Sequence, residues 1–177
     1  MNVKALLIAE TLIFAALYFA LTFILAPISF LPLQVRVSDS LIMLSAVLGL
    51  PVVYGVFLGC ILANLFPVGY PPNPVDVVFG SLANLIASYL VYLTCYGRAG
   101  RRRILLAGVM SSVIVSLIVG SYLPFLIMPN VSWQEVVWIG YLGVLPGELI
   151  AQAGLGSALT LTLTRIPRLQ KPPKRKS

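Results

Sequence analysis

Apolar residues run almost unbroken over residues 6–26, 75–96, 104–128 and 136–164. Each run is long enough to cross about 30 Å of hydrocarbon as a helix, which needs about 20 apolar residues. The stretch 40–66 fits either one long kinked helix or two short ones broken at Gly49-Leu50-Pro51, where proline removes a helical donor and restricts the residue before it. Charge decides between them. Of the 12 basic residues, four lie within 98–103 and six in the tail from Arg165 to Lys176, while Lys4 precedes the first run. Basic residues mark cytoplasmic loops, so all three regions are expected inside. Bringing Lys4 and the 98–103 loop to one side takes an even number of crossings, and only two helices in 40–66 supply it. The expectation is an all-α integral membrane protein, a six-transmembrane-helix bundle over residues 1–164 with both termini cytoplasmic and a basic tail at 165–177. Arg36 is then the sole basic residue facing outward.

The two short helices carry a geometric consequence. At 1.5 Å per residue, residues 38–50 and 52–66 each reach only about 20 Å. The backbone at 30–37 and 67–74 is therefore expected to dip below the outer surface, enclosed in protein or lining a cavity. A roofed pocket open to the outside follows.

Composition agrees. Hydrophobic residues make up 59% and charged residues 10% of 177 residues, and mean hydropathy is +1.00, a balance that suits lipid rather than water. The length leaves no room for a soluble catalytic domain beside six spans. The first run resembles a signal sequence in profile, but it exceeds 20 residues and is followed by further spans, so a retained helix is expected. Net charge is +7. Its concentration in a proline-containing tail reads as an anchor on anionic membrane lipid, with no nucleic acid required. Cys60 and Cys95 lie in apolar runs and there is no histidine. No disulfide framework, metal site or cofactor is expected.

Against this background the polar residues inside the spans stand out, because ionisable groups in hydrocarbon are costly and mark function by default. Arg36 and Asp39 sit three residues apart in Leu33-Gln34-Val35-Arg36-Val37-Ser38-Asp39-Ser40. Asp76, Gly80 and Asn84 follow at steps of four, with Ser88 extending the same helix face. Tyr18 and Thr22 share a face of the first helix, and Glu148 and Gln152 one of the last, just after Pro146-Gly147. Counted from the outer ends, Asn64, Asp76, Asn84 and Glu148 are expected to converge at one depth. Taken singly, each also fits a satisfied polar group: Asp39 and Asp76 as helix caps, Asn64 bonded to neighbouring backbone. In the first helix, Ala5 and Ala9, then Ala16 and Ala20, allow another helix to pack closely, either within the bundle or from a partner.

Five segments carry a resemblance to a known family: Ala15-Ala16-Leu17-Tyr18, the 33–40 loop, Leu58-Gly59-Cys60-Ile61-Leu62-Ala63-Asn64-Leu65-Phe66, Asp76-Val77-Val78-Phe79-Gly80-Ser81-Leu82-Ala83, and Pro146-Gly147-Glu148-Leu149. In this order the chain resembles, over about residues 5–163, QueT, the queuosine-precursor S component of energy-coupling factor (ECF) transporters. It departs from the family pattern at Asp39, where glutamate is more usual, at Asn84, where threonine is common, and in a lengthened loop over residues 70–74.

The resemblance implies a substrate-binding bundle that captures a deazapurine outside and delivers it inside by toppling, with an ECF transmembrane coupling protein and two ATPase subunits as partners. It implies no enzyme activity, and the chain has no G-x-x-x-x-G-K-[ST] phosphate loop. A guanine-like edge offers adjacent N–H donors to a carboxylate, which suits Glu148, Asp76 or Asp39, while Asn64, Asn84 or Gln34 meets the carbonyl and ring nitrogen. Arg36 belongs to the same expected site, and Tyr18, Phe30 and Tyr70 are candidates to stack on the ring. Rival readings are an S component for another vitamin-like solute, a small membrane enzyme of lipid metabolism, and a purely structural partner protein. The enzyme reading would want clustered acids for a metal, whereas the five acids here are scattered singly.

Overall fold

The first apolar run folds as α1 (Val3–Ile24), and its four buried residues, Thr11, Ala15, Tyr18 and Thr22, step by three and four along one face. The computed structural model describes residues 3–29, 35–69, 71–128 and 130–166. The remaining helices are α2 (Val37–Leu48), α3 (Leu50–Leu65), α4 (Asp76–Cys95), α5 (Arg101–Ile127) and α6 (Trp133–Leu163). Four of these, α1, α4, α5 and α6, are long and apolar enough to cross a membrane, and α2 and α3 are shorter apolar helices. Among the described residues there is no strand.

The break between α2 and α3 falls where glycine and proline foretell it. Gly49 takes φ +78°, a left-handed conformation that few residues other than glycine adopt, and Pro51 occupies the first turn of α3, where its missing donor costs nothing. A Cβ at Gly49 would stand 3.0 Å from the Tyr96 ring. The α2–α3 turn therefore lies at the same end of the bundle as the loop carrying Arg98 to Arg103.

α1 packs along α3. Contact is close because α3 offers Gly55 and Gly59 to it: a Cβ on Gly59 would lie 2.7 Å from both the Ala15 carbonyl oxygen and Tyr18 Cβ. This is the small-residue packing that membrane bundles use, since lipid supplies no hydrophobic drive between helices. It runs through Thr11, Ala15 and Tyr18 rather than the alanine steps, for Ala5, Ala9 and Ala16 are exposed and Ala20 is half-buried. α4 packs on α3 and α5, and α5 on α6, where Gly120 and Gly140 bring two backbones together.

α2 is the central element, touching α1, α3, α4 and α6. Every residue from Ser38 to Val47 is buried, the mark of a helix enclosed all round. Its first eight residues, Val37–Leu44, form a 3₁₀ helix, and Ser45–Leu48 an α-turn. The 3₁₀ rise of about 2.0 Å per residue lengthens α2 to about 22 Å.

Depth follows from the partners. Asp39, near the start of α2, bonds Asn84, eight residues inside α4, which is about 12 Å along that helix. Ser40 lies against Gly156, far along α6. α2 thus begins in the middle of the bundle, and the chain descends to it through a helical turn at Ala26–Ser29, with the Val35 amide donating to the Ile28 carbonyl at 3.0 Å. The expected dip of this connector is present over its described part. The connector after α3 differs: Val68, Gly69, Pro71, Pro72 and Pro74 are exposed, because Asn64 at the end of α3 already bonds the backbone of Asp76 and the two helix ends meet directly. Of the basic tail, Arg165 and Ile166 are described and exposed, and the rest lies outside the described residues.

Candidate functional site

The polar side chains gather in two tiers rather than at one depth: Asp76 opens α4, Asn84 lies eight residues deeper on it, and α2 starts at that deeper level. In the inner tier the Tyr18 hydroxyl of α1 donates to Asp39 Oδ1 of α2 at 2.5 Å. Asn84 of α4 stands across from both, its Nδ2 2.8 Å from the Tyr18 oxygen and 2.8 Å from the same Asp39 oxygen. Above them Thr22 Oγ1 donates to Ser38 Oγ at 2.6 Å, tying α1 to α2 a second time. From α6, the Glu148 carboxyl comes within hydrogen-bonding reach of Asp39 and accepts from Gln152 Nε2 at 2.6 Å. Four helices meet here, and Tyr18, Asp39, Asn84, Glu148 and Gln152 are all buried.

The outer tier joins α3, α4 and α5. Tyr122 donates its hydroxyl to Asp76 Oδ1 at 2.6 Å, and Asn64 Nδ2 donates to the Asp76 carbonyl oxygen at 3.0 Å. Gly80 makes room for them: a Cβ there would stand 2.9 Å from Asn64 Nδ2 and 3.1 Å from both Asp76 Oδ1 and the Tyr122 oxygen. Between the tiers lies Arg36, buried, in electrostatic reach of both Asp39 and Asp76 and donating from Nη1 to Cys60 Sγ at 3.8 Å. Carboxyl groups of both tiers are thus in electrostatic reach of one guanidinium.

Helix geometry is irregular at each carboxylate. Asp39 sits in the 3₁₀ stretch of α2, Asp76 opens a π-turn, Asp76–Gly80, and Glu148 immediately precedes the π-segment Leu149–Gly156 that holds Gln152. Long 3₁₀ stretches and π-turns leave backbone spacing off the α-register and concentrate at functional sites. The helix runs on through Pro146-Gly147. Pro146 lies inside a continuous helix, flanked by π-segments Val136–Tyr141 and Leu149–Gly156.

Asp39 does not cap α2: the N-cap position is Arg36, whose side chain makes no capping bond, and the Asp39 carboxylate serves Tyr18 and Asn84. Asp76 does not cap α4 either. Asn64 does bond neighbouring backbone through Nδ2, but its Oδ1 is buried without a partner among the described residues. Tyr18 is fully buried with its hydroxyl engaged at both lone pair and proton, so it acts as a polar link and has no open face for stacking. Gln34, Phe30 and Tyr70 lie outside the described residues. Tyr122, Gln152 and Cys60 belong to the cluster and were not among the expected site residues. Gln152 was signalled by sharing a helix face with Glu148. Tyr122 offered only one more hydroxyl in a span that also carries Ser111, Ser112, Ser116 and Ser121.

Among the described residues no group of three or more Cys, Asp or Glu is placed to hold a metal ion. What the arrangement offers is hydrogen bonding: carboxylate and amide acceptors, one guanidinium, and hydroxyls, in surroundings where such groups act with little screening.

The sequence model of the QueT transporter family matches residues 8–165. No curated protein and no solved structure matches the chain.

Proposed function

Since the chain belongs to the QueT transporter family, and is a membrane transport protein rather than an enzyme, we propose that it is the substrate-binding S component of an ECF-type importer in the cell membrane, specific for a deazaguanine queuosine precursor. The observation that carries this reading is the buried cluster of Asp39, Asn84, Glu148 and Gln152, drawn from three helices and lying in electrostatic reach of the buried Arg36, inside a bundle with lipid-facing outer surfaces. Such groups are expensive inside a membrane protein and are retained where a solute replaces water as their partner. A purine-like base brings adjacent N–H donors for a carboxylate and acceptors for amide and guanidinium groups.

In this reading all six helices cross the membrane, α2 and α3 included, with both termini inside. The ligand enters from outside, and the subunit topples against the coupling protein, whose two ATPase subunits supply the energy. The exposed alanines of α1, Ala5, Ala9 and Ala16, form the docking stripe, since the close packing within the bundle uses the opposite face.

Two measurements test it. Purified from a producing host, the chain is expected to carry a deazaguanine identifiable by mass spectrometry; a different vitamin-like solute in its place would transfer the reading to another S component. In a background lacking Cys60 and Cys95, Ala99→Cys is expected to resist an impermeant thiol reagent in intact cells while Asn73→Cys reacts. Outside labelling of Ala99→Cys overturns six crossings.

A further inference from the structure

Gln152 is wholly buried. Its amide is oriented by one strong bond, Nε2 to Glu148 Oε2 at 2.6 Å, and this leaves Oε1 with no partner among the described residues. A flip of the amide would not repair this, because it would only exchange the unmade acceptor for an unmade donor at the same place. A buried acceptor left unmade is costly, and native structures keep few of them. The position is also irregular: Gln152 lies in the π-segment Leu149–Gly156, which re-aims side chains relative to an α-helix. Its neighbour Glu148 reaches Asp39 in the inner tier, so the unmade acceptor stands beside the polar cluster of the site.

We infer that Gln152 is a specificity-determining residue: its Oε1 and the Glu148 carboxylate together form a double acceptor that reads two adjacent N–H donors on the ligand edge. The inference rests on the proposed function and adds to it the edge that is read. A guanine-type edge presents a ring N–H beside an exocyclic amine. One is taken by the carboxylate and the other by the amide oxygen, while the Gln152 amine stays on Glu148 and fixes the spacing. A base that lacks the exocyclic amine leaves the amide oxygen as unsatisfied as it is now. Sites built around a hydrogen-bonding group reject analogues lacking it far more strongly than apolar pockets reject a missing methylene.

The test measures affinity of the purified full-length chain for 7-deazaguanine and for 7-deazahypoxanthine, which differs by the missing amine. The unsubstituted chain is expected to prefer 7-deazaguanine by tenfold or more. Gln152→Met, which keeps length and removes both polar atoms, is expected to shrink that preference to less than threefold, chiefly by weakening the 7-deazaguanine complex. Gln152→Glu, which keeps an acceptor but sets it against Glu148, is expected to retain part of the preference at lower overall affinity. A purely structural Gln152, or one whose oxygen binds internal water, would weaken both complexes equally and leave the ratio intact, and that result overturns the inference while the proposed function stands. Binding of neither base by the unsubstituted chain would instead bring down the proposed function itself. Retained monodispersity and ligand-induced thermal stabilisation of Gln152→Glu keep the result decisive if Gln152→Met fails to fold.

Discussion

Tyr18 donates its hydroxyl to Asp39 across 2.5 Å, linking the lipid-facing α1 to the enclosed α2. The bond does two things at once. It neutralises part of the cost of burying a carboxylate, and it fixes where α1 sits along α2, because Asn84 closes the same contact from α4. Hydrogen bonds to a charged group contribute about 1.5–3 kcal/mol.

Tyr18→Phe is therefore expected to destabilise the purified protein by about 2 kcal/mol, a fall of roughly 4–8 °C in melting temperature for a chain of this size. Differential scanning fluorimetry in detergent checks it. An unchanged midpoint would mean that Asp39 is satisfied without Tyr18.

A second expectation concerns the α1–α3 seam. Gly59→Val puts branched carbon where a Cβ already lies 2.7 Å from Ala15 and Tyr18, and overpacking costs about 1–3 kcal/mol. Gly154→Ala, whose Cβ would meet only the Leu149 carbonyl at 3.6 Å, is the control. Melting temperature should drop for Gly59→Val and hold for Gly154→Ala, and equal behaviour of the two would contradict the packing described.

The outward face of α1 makes a third test. Ala9 and Ala16 are exposed, so Ala9→Trp and Ala16→Trp are accommodated by the isolated subunit and block close approach of another helix. Uptake reconstituted with coupling subunits should be abolished while ligand affinity of the isolated chain stays within about twofold. Loss of both together would return these alanines to a role inside the bundle.

Much of the architecture is legible in the sequence, and the exceptions have physical causes. The long spans follow from hydropathy alone, and the α2–α3 break from Gly49 and Pro51 joined to the parity argument on basic residues. The stripe through Asp76, Gly80, Asn84 and Ser88 is legible because four-residue spacing survives a single π-turn. Depth is not legible. Counting residues inward at the α-helical rise assumes that every helix starts at the membrane surface, and α2 starts about 12 Å below the head of α4. The expected single level of Asn64, Asp76, Asn84 and Glu148 splits into two as well, because Asp76 and Asn84 lie eight residues, about 12 Å, apart along one helix, Asn64 pairing with the first and Glu148 with the deeper level. Nor does hydropathy distinguish 3₁₀ or π-turns from α-turns, so the re-aiming of Asp39 and Gln152 leaves no trace in it. Tyr122 was hidden for a further reason: its partner Asp76 is 46 residues away on another helix.

The central claim is that the buried carboxylates receive a donor-rich base, and Glu148 tests it most directly. Glu148 is buried, bonded to Gln152 and adjacent to Asp39. Glu148→Gln keeps the shape and exchanges an acceptor for a donor that faces the ligand's own donors. Isothermal titration of the folded variant with a deazaguanine should show affinity weakened by about 2 kcal/mol or more, roughly 30-fold. Unchanged affinity would take Glu148 out of the site and contradict the account.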